Sequence, residues 1–327
     1  MSMEQSSFEV EFESYAKSEG NGRIVMNGKT PHIVQYQGSK RLLAPQILQY
    51  MPNRFNRLIE PFAGMAAITV AVAEERRAEQ YIINDINEPI VRLLQTAIET
   101  PAELVRKYTA VWEDQFRYPS GHLDHFFYIR DCFNDGRQSA ENMLYLLARC
   151  VKGAVRYGKN GNFNQSPDKR RHGTNPRNIA ESVFAISGLL KEKTVFSTID
   201  YRDVFEVAEP GDLVYMDPPY QGVSNTRDNR YFSGVGFDDF SESIKLLNRK
   251  GVDYVISYDG ACGGKEYGSD LPGCLNCTKI LLNAGLSTQA TLLGKRDITY
   301  EALYISENLA GAIRNIPEQM TLMEWVG

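Results

Sequence analysis

The chain of 327 residues is 43% hydrophobic and 24% charged, with a net charge of −5. That is enough for one sizeable core carrying an insertion, or for two domains. No run approaches the ~18 consecutive apolar residues of a membrane helix, and the acidic balance excludes a uniformly basic surface. The five cysteines are odd in number, which argues against a disulfide framework. Cys262, Cys274 and Cys277 have no fourth ligand near them in sequence, and they read as free thiols in a reducing compartment with no metal.

Residues 1–30 are expected to be an acidic flexible tail. The first twenty hold five glutamates against one lysine and no apolar core, unlike a secretory or transit segment. Tyr36-Gln37-Gly38-Ser39-Lys40 then predicts a glycine turn opening an amphipathic helix over 42–48. A short strand over 57–60 leads into Pro61-Phe62-Ala63-Gly64-Met65-Ala66-Ala67, a turn of small residues. A helix over 68–77 and a strand over 81–84 follow, ending at Asp85. This is a βαβ unit whose acid stands about 20 residues beyond the glycine turn.

From 88 to 187 helical periodicity takes over, carried by Val91, Leu93, Leu94 and Ile98 and again by Leu144, Leu146 and Leu147. A Gly-, Asn- and Arg-rich loop spans 158–176. Strand patterns return at 194–197, 213–216, 254–257, 288–293 and 302–305. The alternation predicts an α/β fold with a mostly parallel sheet. Residues 31–90 and 188–327 form its main domain, and 91–187 form a mainly helical insertion.

Two places carry chemistry. At the first, Gly64 lets a ligand approach the backbone of a βα turn, and Asp85 is placed to accept hydrogen bonds from a ribose diol. A single glycine leaves little room for a pyrophosphate, so a compact nucleoside cofactor fits better than a dinucleotide. The second is Asp217-Pro218-Pro219-Tyr220, directly after the apolar run 213–216. An exocyclic amine of a nucleobase is a poor nucleophile because its lone pair is delocalised. The Asp217 carboxylate and the Pro218 carbonyl can each accept one N–H of such an amine and free that lone pair for in-line attack. Tyr220 offers a face for stacking, and the prolines stiffen the turn.

Charge is unevenly spread. Between Arg149 and Arg177 stand eight basic residues (Arg149, Lys152, Arg156, Lys159, Lys169, Arg170, Arg171, Arg177) against the single Asp168. A local field of this sign suits one polyanionic surface.

Taken together and in this order, the motifs resemble the Dam-like, α-group S-adenosylmethionine-dependent DNA adenine-N6 methyltransferases over residues 33–306. The resemblance implies a Rossmann-like methyltransferase sheet with helices on both faces and a helical target-recognition domain inserted in it. Tyr36 and Lys40 then belong to the amino-terminal cofactor segment, and Glu60, Pro61, Phe62 and Gly64 to the turn at the methionine end. Asp85 is the ribose-binding acid, and Asp200 and Tyr201 lie by the cofactor's adenine. Asp217 borders both cofactor and target, and Asp217, Pro218, Pro219 and Tyr220 are catalytic. Candidates for DNA contact are Arg156, Lys159, Asn162, Asn164, Lys169, Arg170 and Arg171. The implied cofactor is S-adenosyl-L-methionine and the implied partner double-stranded DNA. A cognate restriction endonuclease, a monomeric state and a prokaryotic or phage cytoplasmic setting are further expectations. Two positions depart from the family: Ala66 stands for a second glycine, and Val151-Lys152-Gly153-Ala154 replaces Phe-Asn-Gly-Leu. Methylation of RNA adenine, of cytosine N4 or of a protein amide remains an alternative, as does a DNA-binding homologue without activity.

Overall fold

The structure is a computed structural model that describes residues 30–219, 236–262, 265–266, 270–286 and 298–312. The acidic tail, Tyr220 and the strand expected over 288–293 lie outside the described residues. The chain divides into two compact units. One holds Lys40–Glu88, Arg156–Gly161 and the chain from Lys193 onward; the other holds the residues up to Ser39, Pro89–Val155 and Asn162–Glu192.

The first unit is built on a sheet. Its elements are α1 (Ala44–Ile47), β1 (Phe55–Glu60), α2 (Ala67–Glu74) and β2 (Ala78–Asn84). After the helical insertion come β3 (Thr194–Ser197), a helix at Tyr201–Glu206, β4 (Leu213–Met216) and a helix at Phe237–Lys250. Strands β5 (Asp253–Cys262), β6 (Lys265–Glu266), β7 (Cys277–Leu286) and β8 (Ile298–Ser306) and a helix at Glu307–Ala312 complete it. The strands run in the order β3-β2-β1-β4-β5-β8-β7, with the short β6 paired to β5. Pairings from β3 to β5 are parallel, and β8 is antiparallel to both of its neighbours.

All four residues of β4 are buried, as expected of a central parallel strand covered on both faces. Val214 and Met216 share a core with Val204 and Phe205 of Tyr201–Glu206 and with Phe240, Ile244 and Leu247 of Phe237–Lys250. Leu213 and Tyr215 alternate to the other face. The chain leaves β1 toward β2 and β3, and leaves β4 toward β5. The sheet therefore has its topological switch point between β1 and β4, where α/β sheets open a crevice at their carboxyl ends.

The second unit is helical: α3 (Glu88–Glu99), α4 (Pro101–Arg117), α5 (His122–Asn134), α6 (Ala140–Arg149) and α7 (Pro176–Leu190), which makes the helices at Tyr201–Glu206, Phe237–Lys250 and Glu307–Ala312 α8, α9 and α10. Helix α4 packs on α6 and α7, and α5 on α6. Leu104, Tyr108, Phe126, Phe133, Leu144 and Val183 on these helices are buried. Local chemistry sets the starts: Pro101 opens α4, the Ser139 hydroxyl accepts from the Asn142 N–H at α6, and the Asn175 side chain accepts from the Arg177 N–H before Pro176 at α7.

Several elements differ from the sequence reading. The single helix expected over 42–48 is α1 flanked by two 3-10 turns, Lys40–Leu42 and Leu48–Tyr50; Pro45, lacking an N–H, shortens the run. Helix α2 stops at Glu74, before 77, because Arg76 turns left-handed at φ 55° and Arg77 donates back to the Leu48 and Met51 carbonyls. Strand β7 was not expected at all. Its residues Ile280 and Leu282 are buried, but the apolar run 280–282 is only three residues long. Arg149, counted with the surface charges, is fully buried and donates to the Asp168 and His122 carbonyls, both at 3.3 Å.

Candidate active site

Four strand ends build the site. At the end of β1, Glu60 is 2% exposed, and its Oε1 accepts the Thr69 N–H of α2 at 2.9 Å. Burial pushes its carboxyl up to about 8; the Thr69 bond opposes this, while Asp217 and Asp85 nearby add to it. The chain then turns through Gly64 (φ 49°) and Ala66 (φ 53°), both left-handed.

The end of β2 ties this turn down. The Gly64 N–H donates to Asp85 Oδ2 at 2.8 Å and the Asn87 N–H to Asp85 Oδ1 at 2.9 Å. Burial raises the Asp85 carboxyl, and those two N–H groups oppose the rise. Asn84 donates to the Pro61 and Ile199 carbonyls and accepts from the Ser197 hydroxyl and the Ile199 N–H. It thereby joins the ends of β1 and β3 through one buried side chain. Tyr157 donates to Asn87 Oδ1 at 3.0 Å, and burial pushes its hydroxyl up to about 12.

Phe62 leaves the same turn toward Tyr201, with ring centroids 5.1 Å apart, and lies 6.3 Å from Phe240. Asp200 caps α8 through the Arg202 N–H and pairs with the Arg202 guanidinium. The arginine holds its carboxyl below the ordinary carboxylate range.

Asp217 stands one residue beyond β4. Lys40 Nζ donates to both of its oxygens, at 2.7 and 2.8 Å, and lies 3.2 Å from Glu301 Oε1. Lys40 is 7% exposed. Burial alone would lower its ammonium, but Asp217 and Glu301 outweigh that and raise it, so the buried cation is fully compensated. Beneath, the Tyr215 hydroxyl and the Ser257 hydroxyl are 2.8 Å apart. Pro218 is buried and Pro219 half-buried.

Thus Lys40, Glu60, Gly64, Asp85 and Asp217 interact within the sheet unit, and Phe62 stacks against Tyr201. Tyr36 falls in the helical unit. Glu301, Asn87 and Tyr157 lie in motifs that resemble the family's but were not among the expected site residues. Glu301 carried one signal, a charge at the head of the apolar run Ala302-Leu303-Tyr304-Ile305.

Candidate DNA contacts are divided between the units. Arg156, half-buried, and Lys159, exposed, cluster with the sheet unit. In the helical unit Asn162 and Asn164 are exposed on either side of Phe163, which is 1% exposed and held by both polar atoms of the Asn134 amide. Lys169, Arg170 and Arg171 are exposed, with Arg171 paired to Asp168. Gly153 takes φ 58°, and a Cβ there would sit 1.9 Å from the Gln35 carbonyl oxygen; the Gln37 N–H donates to the Gly153 carbonyl at 3.0 Å. Only glycine lets these two backbones meet.

The strand order, the switch point and the carboxylate-and-proline turn at its edge define the Rossmann-like methyltransferase class. Residues 36–271 match the D12 class N6 adenine-specific DNA methyltransferases, and the chain belongs to that family. The DNA N-6-adenine-methyltransferase of Escherichia phage P1 is 27% identical over 244 residues, covering 72% of this chain and 30% of its own length. The Type II methyltransferase M1.LlaDCHI of Lactococcus lactis subsp. cremoris is 25% identical, covering 68% of this chain and 79% of its own. The DNA adenine methylase of Serratia marcescens is 27% identical, covering 61% and 70%. The chain therefore spans less than a third of the phage P1 protein and most of the other two. No described helix is long and apolar enough to cross a membrane.

Proposed function

We propose that the chain transfers a methyl group from S-adenosylmethionine to N6 of an adenine at a specific site in duplex DNA. The observation that carries the reading is the position of Asp217-Pro218-Pro219 at the carboxyl end of β4, beside the Glu60–Gly64 turn and Asp85 across the switch point. S-adenosylmethionine would supply the methyl group and leave as the neutral thioether that keeps the electron pair, while N6 would give up one proton to water.

The residues present fit that cofactor. The Lys40–Asp217–Glu301 cluster holds two carboxylates to one ammonium, which leaves a negative setting for a sulfonium cation, and the left-handed Gly64 turn leaves its backbone open to close approach. Asp85 keeps a second lone pair on each oxygen for a ribose diol after accepting its two N–H bonds. Asp217 and the Pro218 carbonyl would accept the two N–H groups of N6 and hold it in line, a contribution of positioning and electrostatics. Tyr220, outside the described residues, keeps its expected role as the stacking face.

The target amine lies inside the base stack, so the adenine must be turned out of the duplex at a cost of a few kcal/mol. Arg156, Lys159, Lys169, Arg170 and Arg171 would neutralise phosphates, which makes binding salt-dependent. Asn162 and Asn164, turned outward by their buried neighbour Phe163, are candidates for base edges. Work on one base per visit requires only a monomer, in the cytoplasm of a prokaryote or an infected cell. A paired restriction endonuclease acting on the same site is the biological setting we favour, since relatives include Type II methyltransferases.

The test is to incubate unmethylated plasmid DNA with protein and S-adenosylmethionine and to read N6-methyladenine by single-molecule sequencing. The expected result is one recurrent modified sequence, lost in Asp217→Ala at saturating cofactor. Unmodified DNA alongside intact cofactor binding would move the substrate to RNA or protein.

A further inference from the structure

Lys40 is buried in the sheet unit with two carboxylates on it. An ammonium has three N–H donors; two meet the oxygens of Asp217 and the third is 3.2 Å from Glu301 Oε1. Every proton of the cation is thereby used, and neither carboxylate holds it alone. Glu301 stands where the sheet is irregular. β5 and β8 pair as Tyr258↔Ala302 and then as Ala261↔Tyr300, so residues 259 and 260 of β5 stand against the single Glu301 of β8. A bulge of this kind re-aims a side chain next to a site. Glu301 is nonetheless in full register with Leu282 of β7 on its other side, so its backbone is held.

We propose that Glu301 is a positioning residue for methyl transfer, acting through Lys40 on Asp217. The proposal rests on the function argued above. In the resting arrangement Lys40 holds both Asp217 oxygens. When a target amine arrives, one of those oxygens accepts its N–H on its remaining lone pair, and accepts it better the less Lys40 draws on that oxygen. Lys40 can release it without becoming an unpaired buried cation because Glu301 remains as its second anion. Without Glu301 the cation would keep Asp217 to itself, since an unpaired buried charge is far more costly than a paired one. Among the described residues, the charged groups around Lys40 include Asp217 after β4 and Glu301 on β8, with Glu60 of β1 and the Tyr215 hydroxyl of β4 next to Asp217.

The experiment compares wild type, Glu301→Gln and Glu301→Asp in full-length protein, by steady-state methyl transfer to plasmid DNA at one pH. Glu301→Gln is expected to lower kcat by ~10-fold while changing KM for S-adenosylmethionine less than ~2-fold, the signature of an interaction used in the reaction and not in binding. Glu301→Asp should restore kcat in part. Wild-type kcat in Glu301→Gln overturns the proposal, as does a loss of kcat matched by an equal rise in KM or one with no recovery in Glu301→Asp. A wild type that methylates no DNA removes the underlying function and this role with it, so the two failures are told apart by the control.

Discussion

Glu60 gives the sharpest physical test of the site. Its carboxyl is pushed up to about 8 by burial, against an ordinary value of 4.5. A carboxyl whose folded value is raised binds its proton more tightly in the folded chain. Its contribution is fully favourable below pH 4.5 and is lost as pH rises through 8. At 1.36 kcal/mol per unit, the loss between pH 5 and pH 8 is on the order of 3 kcal/mol. Glu60→Gln keeps a carbonyl for the Thr69 N–H and cannot ionise. It adds one buried N–H in need of an acceptor, at a cost of roughly 1–2 kcal/mol independent of pH. The variant should therefore match or fall slightly below wild type at pH 5 and exceed it by roughly 2 kcal/mol at pH 8. Urea denaturation at both pH values measures this, and taking the difference between the two proteins cancels every other titrating group. Parallel pH dependences in wild type and variant would mean that Glu60 is ionised in the folded chain, and the argument from burial would be wrong.

Backbone strain yields two more tests. Ala66 sits at φ 53°, where an L-residue pays roughly 1–2 kcal/mol; glycine returns roughly 0.4–1 kcal/mol of that in unfolded-state entropy. Ala66→Gly should raise the unfolding free energy measured in urea by a net ~0.5–1 kcal/mol, and a lower midpoint would refute the strain. Gly153→Ala must fit a Cβ 1.9 Å from the Gln35 carbonyl oxygen at φ 58°, so it should cost ~3 kcal/mol or more, read in the same assay; an unchanged midpoint would mean that the 35–37 backbone yields freely. On the DNA side, Arg156→Ala should weaken DNA binding while leaving the S-adenosylmethionine dissociation constant nearly unchanged, and equal losses by calorimetry would remove Arg156 from the DNA surface.

The parts of the fold legible in the sequence were those where pattern and packing coincide. Leu213-Val214-Tyr215-Met216 is apolar throughout because it is covered on both faces, the strand ending at Asn84 is apolar only in its buried second half, and Thr194–Ser197 was legible from its β-branched and aromatic residues although Val195 is exposed. Strand β7 was illegible for the converse reason. Among the described residues it is an outer strand with one partner, and its apolar run Ile280-Leu281-Leu282 is short and broken by Asn283 and Gly285, where the register shifts. The short α1 was overcalled because its apolar spacing suits a helix, yet Pro45 and the two 3-10 turns allow it barely one turn.

The site was legible to the extent that its chemistry lies within contiguous motifs. Asp85 and the Gly64 turn stand 21 residues apart and meet through one hydrogen bond, and a βαβ pattern implies that meeting. The pairing of Lys40 with Asp217 spans 177 residues, and no local pattern implies it. Reading Lys40 as a cofactor residue came from its motif alone. Its burial shows a different first obligation, because a cation this enclosed has to be neutralised before it can serve any ligand. The same logic separates Arg149 from its basic neighbours. Eight basic residues in sequence suggest one surface, but Arg149 donates inward to the Asp168 and His122 carbonyls, and Arg171 is paired with Asp168. A field that acts on DNA is made by the charges left facing water, so Lys159, Lys169 and Arg170 should dominate the salt dependence, and Arg149 should affect it only through the folding of the helical unit.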